Sequence, residues 1–166
     1  MERWNLSTDS ETETAKLGFC LGELIDRPLI VLLSGDLGAG KTCFSRGLAR
    51  GLGVPEEVPI ASPSYTLMNS YRGRLELFHF DLYRLSEPDE LLELGMEDYL
   101  PGGGVAIIEW ADLFTGLAQQ YLAVRLSHEG PERRHFECAA AGSPALNLLQ
   151  RWRRQWHKNS AGIGYG

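Results

Sequence analysis

The 166-residue sequence predicts an α/β fold: a mixed, mainly parallel sheet flanked by helices, with one β-hairpin. Three observations carry this reading. Residues 29–33 are continuously apolar, the mark of a strand buried on both faces. A glycine-rich loop and a helical pattern follow that run directly. A second short apolar run, residues 105–108, leads into a carboxylate at Glu109, at the edge where open α/β sheets gather ligands.

The elements follow in order. Ser10 or Thr12 can cap a first helix whose apolar face is Leu17, Leu21, Leu24 and Ile25. Residues 26–28 end it before the strand over 29–33. A helix over 41–52 is stopped by Gly53 and Pro55. Residues 55–63 hold three prolines and read as loop. Residues 65–71 and 75–82 read as two strands joined across Arg72 and Gly73. Pro88 sits in the first turn of a short helix over 86–95, with Leu91, Leu92 and Leu94 inward. Residues 121–126 and 134–140 read as late strands, and 145–156 as a terminal helix. The chain is thus expected to be one domain over 1–158, with a flexible tail over 159–166.

Composition excludes several classes. Hydrophobic residues are 43% and charged residues 23%, the balance of an ordinary globular protein rather than a disordered one. No run approaches the roughly 20 apolar residues of a membrane span. Residues 1–14 are polar and acidic, so neither a secretory signal nor a transit peptide is expected. Cys20, Cys43 and Cys138 are odd in number and widely spaced, which argues against a disulfide framework or a zinc site. A reducing cytoplasm is the expected setting. Net charge is −6; residues 151–166 carry +4, from Arg151, Arg153, Arg154 and Lys158, so residues 1–150 carry −10. Such a body repels nucleic acid over most of its surface. Neither a membrane nor DNA is expected as a partner.

Gly35, Asp36, Leu37, Gly38, Ala39, Gly40, Lys41 and Thr42 match G-x-x-x-x-G-K-[ST], between a buried strand and a helix. The glycines allow the backbone to approach an anion, and the amides of residues 38–42 converge on phosphate oxygens at a helix N-terminus. Lys41 is expected at the β- and γ-phosphates and Thr42 on Mg²⁺. The motif thus specifies ATP or a similar nucleoside triphosphate with Mg²⁺, in a P-loop NTPase-like fold. Glu109 is placed either to hold the ion or to orient an attacking water. Asp81 ends a similar run and either reaches the γ-phosphate side or caps a turn. His79 alternates with Phe78 and Phe80 and reads as a structural histidine. Ser62, Ser64 and Thr66 lie in a hydroxyl-rich loop where such proteins sense the γ-phosphate.

These segments, with His79-Phe80-Asp81-Leu82-Tyr83-Arg84-Leu85, Glu90 to Gly95 and Ile108-Glu109-Trp110, resemble the bacterial TsaE family over about residues 10–140. The resemblance implies a small Mg²⁺-dependent ATPase, slow alone, that works with the TsaB–TsaD complex. That complex makes threonylcarbamoyladenosine at position 37 of tRNA, so contact with tRNA is indirect. It implies Lys41, Asp81 and Glu109 as catalytic residues, Thr42 and Glu109 as Mg²⁺ ligands, and residues 62–66 as a switch loop. Cys43 belongs to the cofactor-binding loop, at a position often occupied by Thr. Glu11 and Arg133 fall where the family approaches the base or ribose. Two other readings remain open, a small-molecule P-loop kinase and a non-hydrolysing nucleotide-gated binding module. The terminal helix carries Trp152 and Trp156 at helical spacing, which favours aromatics packed inward over an RNA-contacting face.

Overall fold

Seven strands form a single sheet in the computed structural model, which describes residues 2–36, 38–63, 67–82, 103–109 and 119–163. The strands are β1 (Glu2–Thr8), β2 (Leu29–Gly35), β3 (Met68–Arg72), β4 (Glu76–Asp81), β5 (Val105–Glu109), β6 (Tyr121–His128) and β7 (Arg134–Ala141). Their spatial order is β1-β7-β6-β2-β5-β4-β3. The four central strands β6, β2, β5 and β4 pair in parallel. The flanks are antiparallel, β1 and β7 on one side and the β3–β4 hairpin on the other. The helices are α1 (Glu11–Leu24), α2 (Lys41–Gly51) and α3 (Ser143–Ile163). The helix expected over 86–95, with Arg84 before it and Trp110 after β5, lies outside the described residues.

β2 and β5 are central because their sequences tolerate burial on both faces. Val105 to Glu109 are buried throughout. One parity of the sheet (Val31, Leu33, Ile107, Leu122, Val124, Phe136 and Cys138) joins Leu17, Leu21, Phe44, Leu48 and Trp152 from the helices in one core. All three described helices therefore cover the same face. Ser10 caps α1 by accepting a hydrogen bond from the Glu13 amide at 3.1 Å, which settles the choice between Ser10 and Thr12.

α1 and α2 meet backbone to backbone. A Cβ at Gly18 would stand 2.3 Å from the Phe44 carbonyl oxygen, and one at Gly22 would stand 2.2 Å from that of Leu48. The relation is reciprocal: Cβ atoms at Gly47 and Gly51 would meet the Ala15 and Phe19 carbonyl oxygens at 2.1 and 2.2 Å. Glycines four apart on each helix remove the ridge that would otherwise hold the axes apart. Arg74 closes the far end, donating to Gly51 O at 2.9 Å and Gly22 O at 2.8 Å, a cation at two helix C-termini.

Two differences from the sequence expectation concern the chain ends. β1 is not among the strands the sequence predicts; Trp4, Leu6 and Thr8 share one parity along it. Trp4 packs edge-on against Trp152 at 5.1 Å, and Trp152 Nε1 donates to Leu17 O at 3.1 Å. The signal was weak because polar residues separate the inward positions. α3 extends to Ile163, so residues 159–163, expected as tail, are helical. No proline or glycine interrupts the sequence between Pro144 and Gly162. Trp152 is buried and Trp156 half-buried while Arg153 and Arg154 are exposed, the inward packing expected of this helix. Among the described residues no helix is long and apolar enough to cross a membrane.

Candidate functional site

The parallel strands β2, β4 and β5 end side by side. Leu33 of β2 is in register with Glu109 of β5, and Glu109 with Asp81 of β4. The loop from Gly35 therefore leaves the sheet next to two carboxylates. Both acids are buried, Glu109 at 2% exposure and Asp81 at 4%. Strand parity places His79 and Asp81 on the helix-covered face, opposite Phe78 and Phe80.

The loop is shaped by its backbone. Gly40 caps α2 at φ 98°, in the left-handed region, and offers no side chain to the first-turn amides. Phe44 N–H makes the first intrahelical bond, to Gly40 O, so the amides of Lys41, Thr42 and Cys43 have no acceptor within the helix. At Gly35, φ is 148° and a Cβ would lie 2.4 Å from Leu126 O, so only glycine lets β2 turn there against β6. Lys41 is buried; its ammonium donates to Gly35 O at 2.7 Å and Asp36 O at 3.1 Å. The Ala39 amide donates to Asp36 O, closing a turn.

Ser62 joins the acids to the following loop. Its hydroxyl lies 3.1 Å from Asp81 Oδ2 and 3.3 Å from Glu109 Oε2. At the far end of that loop Leu67 adopts φ 67°, a left-handed conformation that disfavours a branched side chain by roughly 1–2 kcal/mol. It is held by Leu67 N–H to Pro63 O and Asp81 N–H to Leu67 O. Strain of this kind collects at functional loops. Leu37, Ser64 and Thr66 lie outside the described residues.

Arg134, absent from the sequence candidates, is buried against the loop. Its Nε donates to Ala39 O at 3.1 Å, and its Nη1 reaches the carbonyls of Gly130, Pro131 and Arg133. The signal was available: Arg134 shares parity with inward Phe136 and Cys138. Arg133, the sequence candidate, instead stands exposed, 2.9 Å from Glu129 Oε2 and 3.6 Å from Asp9 Oδ1. The Ser7 hydroxyl, helped by Arg133, holds the Glu129 carboxyl below its ordinary range. Glu11 also points to solvent, and its carbonyl accepts the Cys43 thiol at 3.2 Å.

Burial, then the charge of Glu11, raises the Cys43 thiol above its ordinary value. Burial and Glu23 push Cys20 up to about 11. A raised thiol carries less thiolate at any pH below its own titration. Cys43 is therefore expected to alkylate more slowly than free cysteine at pH 8 and to approach it as pH rises. Peptide mapping after iodoacetamide checks this.

The donors fit a triphosphate with a hard divalent ion. Among the described residues no group of three or more His, Cys, Asp or Glu is arranged to hold a metal. What the site offers instead is a half-buried hydroxyl at Thr42 and a carboxylate at Glu109, the sparse oxygen set with which Mg²⁺ is held when phosphates complete its shell.

A glycine loop between a parallel strand and a helix, beside acidic ends of neighbouring strands, defines a P-loop α/β fold. The crystal structure of Bacillus subtilis YdiB is similar, with a TM-score of 0.79 over 93% of this chain and 96% of that one, at 30% identity. Residues 8–136 match the family described as threonylcarbamoyl adenosine biosynthesis protein TsaE. Relatives described as tRNA threonylcarbamoyladenosine biosynthesis protein TsaE include one from Nostoc, 43% identical over 82% of this chain and 85% of its own length. Another, from Bacillus subtilis, is 36% identical over 85% of this chain and 87% of its own. The chain belongs to the TsaE family.

Proposed function

We propose that this protein is a Mg²⁺-dependent ATPase that acts with the TsaB–TsaD complex in threonylcarbamoyladenosine modification of tRNA. One observation carries the reading: Lys41, inside a glycine loop at a helix N-terminus, shares the sheet edge with buried Asp81 and Glu109. In this role the first-turn amides of α2 and the Lys41 ammonium bind the phosphates. Thr42 and Glu109 would hold Mg²⁺, which when bound neutralises charge on the phosphoryl oxygens. Asp81 accepts a hydrogen bond from the attacking water and aligns it. The Ser62 hydroxyl, within hydrogen-bond reach of both acids, can donate its one hydrogen to either. Arg134 is engaged with four backbone carbonyls, and an arginine finger is proposed to come from the partner.

Phosphate release from ATP, with and without TsaB–TsaD, tests the reading. Stimulation by the complex is expected, and its absence would sink the proposal. Glu109→Ala is expected to lower the stimulated rate by about 10²-fold or more. Label from γ-labelled ATP should appear as inorganic phosphate; transfer to a small acceptor would mark a kinase instead. Single-turnover hydrolysis with the complex separates an ATPase from a non-hydrolysing module.

A further inference from the structure

His79 is 1% exposed and faces the site from β4, two residues before Asp81 and one strand from Glu109. Its Nε2 lies 3.3 Å from Glu109 Oε2 but is not aligned for a hydrogen bond, and among the described residues it has no other hydrogen-bond partner. A buried, unsatisfied nitrogen disfavours the fold, so its retention calls for a reason. The Ser62 hydroxyl reaches the same oxygen, also at 3.3 Å. Both contacts therefore fall on Oε2, and Oε1 is left for a ligand.

A glutamate side chain has several rotatable bonds, and a carboxylate that must meet an ion in one orientation gains from being fixed beforehand. Ser62 lies outside the strands and helices. His79 sits on a central strand and cannot leave. We infer that His79 is a positioning residue: a small turn of its ring gives an Nε2–H bond to Oε2, which fixes the Glu109 carboxylate and presents Oε1 to Mg²⁺. The inference rests on the proposed role of Glu109.

Calorimetry of the full chain with a non-hydrolysable ATP analogue, in Mg²⁺ and in EDTA, tests it. The wild type is expected to bind more tightly in Mg²⁺. His79→Leu should bind as the wild type does in EDTA, because the glycine loop is untouched, and lose about tenfold of the Mg²⁺ gain. His79→Gln, whose amide can occupy the place of Nε2, should keep most of that gain. If circular dichroism shows that His79→Leu does not fold, His79→Asn, whose amide falls short of Glu109, is read in its place with the same loss expected. A full Mg²⁺ gain in the Leu or Asn variant overturns the inference alone, as does an equal loss in the Gln variant. A wild type that shows no Mg²⁺ gain overturns this inference together with the role of Glu109.

Discussion

Lys41→Ala is expected to lower partner-stimulated ATP hydrolysis by about 10²–10³-fold, the effect of removing one preorganised charged donor from a phosphoryl-transfer site. The ammonium is not a loose surface charge. It is buried and tied to Gly35 O and Asp36 O, so its position is set before any nucleotide arrives. The same change removes the bonds that draw the two ends of the loop together. Nucleotide affinity should therefore fall along with the rate. Phosphate release under saturating ATP, with calorimetry for affinity, separates the two effects. A variant that retains the wild-type rate would remove Lys41 from the chemistry.

The largest effect on stability is expected at Gly47. An alanine methyl there would meet the Ala15 carbonyl oxygen at 2.1 Å and the Ala15 carbonyl carbon at 2.9 Å, both backbone atoms that no rotamer change can move. Alanine improves helix propensity by up to about 1 kcal/mol over glycine. Overpacking of this kind works against it by about 1–3 kcal/mol, occasionally more, and a backbone clash belongs at the upper end. A net loss of about 2 kcal/mol corresponds to roughly 4–8 °C in Tm for a chain of this length. Urea and thermal unfolding measure it. Alanine at Lys16, exposed on α1, should stay within about 0.5 kcal/mol of wild type. Equal stability of the Gly47 and Lys16 variants would show that α1 and α2 do not cross this closely.

Much of the site was legible because it is local. The glycine loop, its strand and its helix are contiguous, and Glu109 is marked by the apolar run before it. Arg134 carries a signal of its own, since strand parity sets it with inward Phe136 and Cys138, while Arg133 faces the other way. β1 is hard to read because Trp4 and Leu6, its two apolar inward residues, are set among polar ones in a short edge strand. The glycines of α1 and α2 were visible as residues but not as partners.

By itself the sequence determined where the glycine loop stands and which acids end the neighbouring strands, since those features depend on backbone freedom and on residues close together along the chain. Only the tertiary structure decided that Ser62, His79, Asp81 and Glu109 converge, that Ser62 and His79 both approach Glu109 Oε2, and that Arg134 rather than Arg133 lies against the loop. Those outcomes depend on strand order and register, which arise from packing between segments distant in sequence: a shift of one residue would have turned each side chain to the other face of the sheet.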